Sequence, residues 1–279
     1  MDFQSFPYLE NTTICKSKID ILLPQESSSP FFQANQDDFF LDVKGVACFK
    51  VQNGNKIIIS PHEGADDASI RLFLNGSVFG ALLHQKGILP LHGCSFRYQD
   101  KGIVICGISG AGKSSVTVAF CQNGADFITD DITPLQINET ETVIKPIKTQ
   151  LKLWDDSIKK LQIENTDLKK IRPALEKFYL PSPEPMMVIE KQQLNHLFIL
   201  RTHNKNEFIT EELNGIEKYN ALRKQIYRKL YLKGMPETEK KYFKELLQLS
   251  EIVKVTRIIR PEICSIYDTM QVIEKEISR

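Results

Sequence analysis

One stretch constrains this chain more than any other: GISGAGKSS, residues Gly107 to Ser115. It follows the apolar run Gly102-Ile103-Val104-Ile105-Cys106, which reads as a buried strand. It precedes Lys113 to Asn123, where Val116, Ala119 and Phe120 fall on one helical face and Gly124 is placed to end the helix. Strand, glycine loop and helix in that order predict an α/β arrangement. Gly107, Gly112, Lys113 and Ser114 stand at the GxxxxGK(S/T) spacing. Small residues let consecutive backbone N–H groups turn inward around phosphate oxygens, and the helix start adds partial positive charge. Lys113 would reach the outer phosphates and Ser114 would ligate Mg2+, while Ile108, Ser109, Gly110, Ala111 and Ser115 complete the cradle. A plain glycine turn explains Gly107 and Gly112 but not Lys113 followed by Ser114.

A second stretch, FITDD, ends at Asp131 only one helix and one strand later. In open α/β sheets ligands sit beyond the carboxyl ends of strands. If the two strands are neighbours, Asp130 and Asp131 face the phosphates. One carboxylate would hold Mg2+ and the other would accept a proton from an incoming hydroxyl. Asp-Asp before Ile-Thr-Pro is also good turn chemistry, and the strand-end placement favours function over the turn. His92, flanked by Leu91 and Gly93 on the strand preceding the loop, is either a phosphate contact or a structural histidine.

The rest of the chain fits this frame. Leu41 to Pro61 reads as a hairpin around Asn53-Gly54, and Ser69 to Gln85 as a helix stopped by Gly87. Short strands are expected over Ala125 to Thr129, Thr142 to Ile147, Gln150 to Leu153, His196 to Arg201 and Ile252 to Ile259. Helices are expected near Asp155 to Leu161, over Tyr219, Leu222, Ile226 and Leu230 on one face, over Thr238 to Leu249, and near Cys264 to Ile277. Leu180 to Pro185 holds three prolines and predicts irregular chain. The domain expectation is a β-rich segment at 1–68, a nucleotide-binding core at 69–212 and a mainly helical part at 213–279.

Composition narrows the function. Net charge is +1, from 36 basic and 35 acidic residues, so no global field selects nucleic acid or a membrane surface. The basic stretch Lys218 to Lys233 reads as a solvated helix face rather than an RNA or acidic-peptide dock. None of the six cysteines forms a CxxC pair, which removes zinc-ribbon and thioredoxin readings and suggests reduced thiols in a cytoplasmic setting. There is no membrane-length apolar run, and MDFQSFPYLE lacks signal-peptide character.

LPLHG, GIVICGISGAGKSS and NGADFITDD together resemble the catalytic core of the HPr kinase/phosphorylase superfamily. The resemblance is closer to its shorter relatives, including enzymes of lasso peptide-type modification clusters that phosphorylate a serine hydroxyl on a precursor peptide. ASIRLFLNGSVFGALLHQKG, LKLWDDSIKKL, IRPALEK and LNGIEKYNALRKQIYRKL are similar to the flanking segments of those relatives, so the likeness runs from about residue 40 onward. It implies a mixed P-loop sheet of the phosphoenolpyruvate carboxykinase type, ATP and Mg2+ as cofactors, Asp130 and Asp131 as metal ligand and base, and His92 near the phosphates. It also implies Arg172 and Lys177 as contacts to nucleotide or substrate. Classical members form hexamers, which leaves a homo-oligomer open. They carry an acid where this chain has Ser115, and their later glycine-rich signature with arginine is absent here, so neither HPr as acceptor nor reverse phosphorolysis is implied.

The leading expectation is a Mg-ATP-dependent kinase acting on a hydroxyl, chiefly serine, of a peptide or small protein, with no nucleic-acid or membrane partner. Asp131 would be the base, Asp130 and Ser114 the metal ligands, and Lys113 the phosphoryl stabiliser; exchanging the two aspartates is an equal alternative. The other class is a nucleotide-binding regulatory module without transfer chemistry. A mechanical ATPase would place its acidic strand later in the chain. A GTPase would need a base-reading motif that Asn204-Lys205-Asn206 does not supply.

Overall fold

A computed structural model describes residues 11–19, 31–147, 150–164, 167–173, 175–180 and 191–279. The expectations for MDFQSFPYLE and for prolines 181–185 lie outside the described residues. In chain order the strands and helices are β1 (Thr13–Lys16), β2 (Phe31–Ala34), β3 (Asp38–Val43), β4 (Ala47–Gln52), β5 (Lys56–Pro61), α1 (Asp67–Phe73), α2 (Phe79–Gln85), β6 (Leu89–Leu91), β7 (Gly93–Tyr98), β8 (Lys101–Gly107) and α3 (Lys113–Gln122). There follow β9 (Asp126–Thr129), β10 (Thr133–Ile137), β11 (Thr142–Ile144), β12 (Lys152–Trp154), α4 (Asp155–Lys160), β13 (Lys177–Tyr179), β14 (Gln192–His203), β15 (Ile209–Glu212), α5 (Gly215–Lys224), α6 (Pro236–Ile252), β16 (Lys254–Pro261) and α7 (Ile266–Ile277). This is a mixed α/β chain. It divides into two compact units, 1–90 with 227–244 and 91–226 with 245–279.

The first unit is built on a five-stranded sheet of order β1-β5-β4-β3-β2. β4 alternates strictly: Ala47, Phe49 and Val51 are buried while Cys48, Lys50 and Gln52 are half-buried, the period of a sheet with one covered face. The β4–β5 connection uses Asn53 (φ 49°) and Gly54 (φ 63°), a left-handed pair in a tight turn closed by the Asn55 N–H on the Gln52 carbonyl (3.0 Å). The expected helix over 69–85 is α1 and α2 joined by a π-helical turn at Leu74–Val78.

The second unit carries the glycine loop. Its sheet runs β10-β11-β14-β8-β7-β9, with β16 also on β14 and β15 on β16. β8 lies between β14 and β7 and is buried from Gly102 to Gly107, as expected of a central strand covered on both faces. α3 packs through Phe120 onto Phe96 (ring centroids 4.6 Å) and Tyr98 (5.1 Å). Both Phe96 and Phe120 are fully buried.

The strands of the glycine loop and the Asp pair are not neighbours, because β7 stands between them. β7 is antiparallel to both, so β8 and β9 run the same way and end at the same edge of the sheet. β14 and β16 are parallel to β8 and end there too, and β7 begins there. His92, Gly107, Asp130 and Arg260 are thereby delivered to one edge by four different strands. A buried hydroxyl chain braces that corner: Ser95 Oγ to Thr129 Oγ1 (2.6 Å), Thr129 to Thr133 (2.8 Å), and Thr133 to the Gly93 carbonyl (3.0 Å).

The helix expected through Leu230 stops at Lys224. The Gln225 carbonyl accepts the His92 N–H (2.7 Å), Ile226 bridges Leu91, and Arg228 turns left-handed (φ 50°). Leu230 is left 58% exposed. Lys218 is buried, so the basic stretch is not one solvated face.

Candidate active site

The loop leaves β8 at Gly107, where φ is 148° and a Cβ would stand 2.7 Å from the Leu200 carbonyl oxygen. Only glycine fits that approach. α3 begins after Gly112 (φ 99°) without a side-chain cap, so its first-turn N–H groups are not spent on one. Lys113 folds back over the loop. Its ammonium donates to the carbonyls of Gly107 (2.9 Å) and Ile108 (3.1 Å) and to His92 Nε2 (3.1 Å).

That third bond fixes the histidine. An ammonium only donates, so Nε2 accepts and the ring proton sits on Nδ1. Nδ1 then donates to the Asp131 carbonyl (3.1 Å) and lies 3.5 Å from Asp131 Oδ1. His92 thus links the loop lysine to the Asp pair.

The two aspartates have different surroundings. Asp130 is 2% exposed. Its Oδ1 accepts from Ser114 Oγ (2.8 Å) and Cys94 Sγ (3.1 Å), and its Oδ2 accepts from the Lys152 N–H (3.1 Å). Asp131 sits in the left-handed region (φ 72°), a conformation Asp and Asn tolerate, and its side chain is 37% exposed. It lies on the wall of a cavity of about 290 Å³ together with His92, Lys113, Ser114, Lys152 and Lys177. Lys152 Nζ is 3.6 Å from its Oδ2. Burial pushes the Asp131 carboxyl up, but Lys152, His92, Lys177 and Lys113 together hold it below the ordinary carboxylate value.

Of the residues singled out by sequence, Ser109, Gly110, Gly112, Lys113, Ser114, Ser115, His92, Asp131 and Lys177 line this cavity. Asp130, Gly107, Ile108 and Ala111 support it from behind or beside. Arg172 is not on the wall, and its Nε is buried without a hydrogen-bond partner among the described residues. Lys152, Trp154 and Arg260 are among the wall residues that escaped sequence reasoning. Lys152 and Trp154 alternate with buried Leu153 in β12, a two-residue period too short to notice. Arg260, at the end of β16, braces the loop by donating from Nε and Nη2 to the Ala111 carbonyl, both at 3.2 Å; no local signal marks it.

The donor set fits a magnesium nucleotide. Two ligands at right angles around Mg2+ stand about 3.0 Å apart, given bonds of about 2.1 Å. Ser114 Oγ and Asp130 Oδ1 are 2.8 Å apart. Bare first-turn amides beside Lys113 suit phosphate oxygens.

A second cluster, in the other unit, is closed on itself. Cys48 Sγ (3.3 Å) and His62 Nε2 (3.2 Å) both meet Asp42 Oδ1, and the Gly45 N–H donates to His62 Nδ1 (3.1 Å). That last bond puts the ring proton on Nε2, the nitrogen a metal ion beside Cys48 and Asp42 would need bare. Burial first, then Asp42, pushes the Cys48 thiol up to about 12. The cluster is a hydrogen-bonded tie between strands rather than a site.

No protein-family model matches this chain, and no curated protein matches it. Among solved structures it is similar to the Hpr(Ser) kinase/phosphatase from Coxiella burnetii, with a TM-score of 0.36 and 12% identity, over 68% of this chain and 88% of that one. At that distance the likeness says nothing of substrate or mechanism. Among the described residues no helix is long and apolar enough to cross a membrane.

Proposed function

We propose that this protein is a P-loop kinase that moves the outer phosphoryl group of Mg-ATP to a hydroxyl, chiefly serine, of a peptide or small protein. One observation carries the reading: Asp131 stands on the cavity wall amid four cationic or proton-bearing groups, while Asp130 is tied behind it to Ser114. A binding-only module has no use for an ionised carboxylate at that position.

The roles follow from surroundings. Lys113 and the first-turn amides of α3 hold the phosphates. Ser114 and Asp130 would hold Mg2+, which supplies charge neutralisation at the transferred group. Asp131 orients the acceptor hydroxyl and takes its proton as the new P–O bond forms and the bond to the β-phosphate oxygen breaks, releasing ADP. The lysines make Asp131 a weak base. Phosphates bound among the same lysines relieve that pull, so its basicity rises when the donor is in place. His92 keeps Asp131 and Lys113 in register.

The test is transfer from γ-labelled ATP to serine-bearing peptides, free serine and an HPr protein. Label on one acceptor, lost in both Lys113→Ala and Asp131→Asn, is the expected result. Tight ATP binding with no labelled acceptor would favour the regulatory module. Transfer at the wild-type rate by Asp131→Asn would remove Asp131 from the chemistry.

A further inference from the structure

Trp154 is the single tryptophan of the chain and is 44% exposed, whereas Phe96, Phe120 and Phe198 of the same unit are fully buried. It lies on a two-stranded ribbon. β12 pairs antiparallel with β13, placing Trp154 opposite Lys177 and Leu153 opposite Phe178. Leu153 and Phe178 point into the core, so alternation turns Trp154 and Lys177 to the other face, where both line the cavity. The Lys177 ammonium stands 5.6 Å from the indole centroid.

The ribbon is pinned on both sides of the indole. The Lys152 N–H is bonded to Asp130, and Ser157, three residues after Trp154, accepts from Ser115 Oγ (3.0 Å). Those anchors fix the ring relative to the glycine loop. They also give a direction. In a loop of this kind the lysine takes the outer phosphates and the backbone N–H groups take the inner ones. Ser115 lies in the first turn of α3, on the inner-phosphate side, and its hydroxyl is tied to the helix that Trp154 opens. The wall beside Ser115 is therefore the indole, and its neighbours on the same ribbon face, Lys152 and Lys177, reach toward Asp131.

We infer that Trp154 is the stacking platform for the nucleobase of the donor, beside the Lys177 ammonium that stands over the same ring. The inference rests on the phosphate-cradle reading above. Stacking is indifferent to base identity, because every base presents a π-face. Adenine and guanine nucleotides should both be held, and the transferring end should be unaffected by the choice.

Trp154 also reports on itself. Mg-ATP and Mg-tripolyphosphate are titrated into the wild type and into Trp154→Leu and Trp154→Phe, with affinity read by calorimetry and the wild type also by tryptophan fluorescence. Mg-ATP should quench the fluorescence and tripolyphosphate should not. Trp154→Leu should weaken ATP by roughly tenfold and leave tripolyphosphate unchanged, and Trp154→Phe should restore most of the loss. If ATP binds without quenching, or binds Trp154→Leu as tightly as the wild type, the platform is wrong and the cradle stands. If neither ligand binds the wild type, the cradle fails and the platform with it.

Discussion

Each unit holds a histidine against an aspartate, and the two pairs behave oppositely. At Asp42, Cys48 and His62 every donor ends on an acceptor; the cluster ties β3 to β4 and to the residue after β5. At Asp131 the cations outnumber the anion, and the surplus faces a cavity. The residue types are nearly the same. The difference lies in what surrounds them: a hairpin with local partners in one case, and an edge where four strands stop in the other. A closed network stabilises, whereas an unbalanced one is poised for a ligand that supplies the missing charge.

Substitution at the two aspartates breaks the comparison most sharply. Asp131→Asn keeps the left-handed backbone and should cost about a hundred- to ten-thousand-fold in transfer while leaving nucleotide affinity within a few fold. Asp42→Asn should leave transfer unchanged. Parallel assays of the two variants decide it, and equal loss in both would show that the clusters are not different in kind.

Acid unfolding tests the units through a shared feature. Each has a buried neutral histidine: burial lowers His84 to about 4 and, with help from Lys254, Lys101 and Lys218, lowers His196 to about 3. An unfolded histidine titrates near 6.5. Below that pH the unfolded chain takes up a proton that the folded one refuses, so stability falls as pH drops from about 6.5 toward those lowered values. His84→Gln should flatten that slope by a few kcal/mol over the window, measured by denaturant titration at pH 7 and pH 4.5. Asp131 acts in a lower range: its carboxylate is held below its ordinary value, so its contribution is present above about pH 4 and is lost only as pH falls through the lowered value.

Two smaller effects sharpen the picture. Asp42→Ala strips an acceptor from two donors and should cost about 1 kcal/mol in denaturant unfolding. It should also speed alkylation of Cys48 at pH 8, since the carboxylate helps hold that thiol protonated. Mass spectrometry of iodoacetamide labelling reads this site by site, and an unchanged rate would mean burial alone protects the thiol.

Sequence reading reached the local part of this architecture. The loop between β8 and α3, the Asn53-Gly54 turn and the Asp pair at the end of β9 all announce themselves within ten residues. It did not reach what long-range pairing decides. β7 between β8 and β9 is invisible locally, yet it makes the two ends coincide. Lys152 joins the wall because its backbone N–H reaches Asp130, and Arg260 because β16 lies parallel to β14. The helix expected to continue to Leu230 ends at Lys224 because Gln225 is claimed by His92. Periodicity cannot foresee a bond to a residue more than a hundred positions away.

The folded-back posture of Lys113 has a thermodynamic consequence. Its ammonium already makes three hydrogen bonds, two of them to carbonyls of its own loop. Each phosphate oxygen that takes one of those protons releases an acceptor, so the contact is an exchange and yields little net heat. These same bonds hold the loop in its receiving shape. Much of the entropy that ordering it would cost at encounter has already been lost in folding.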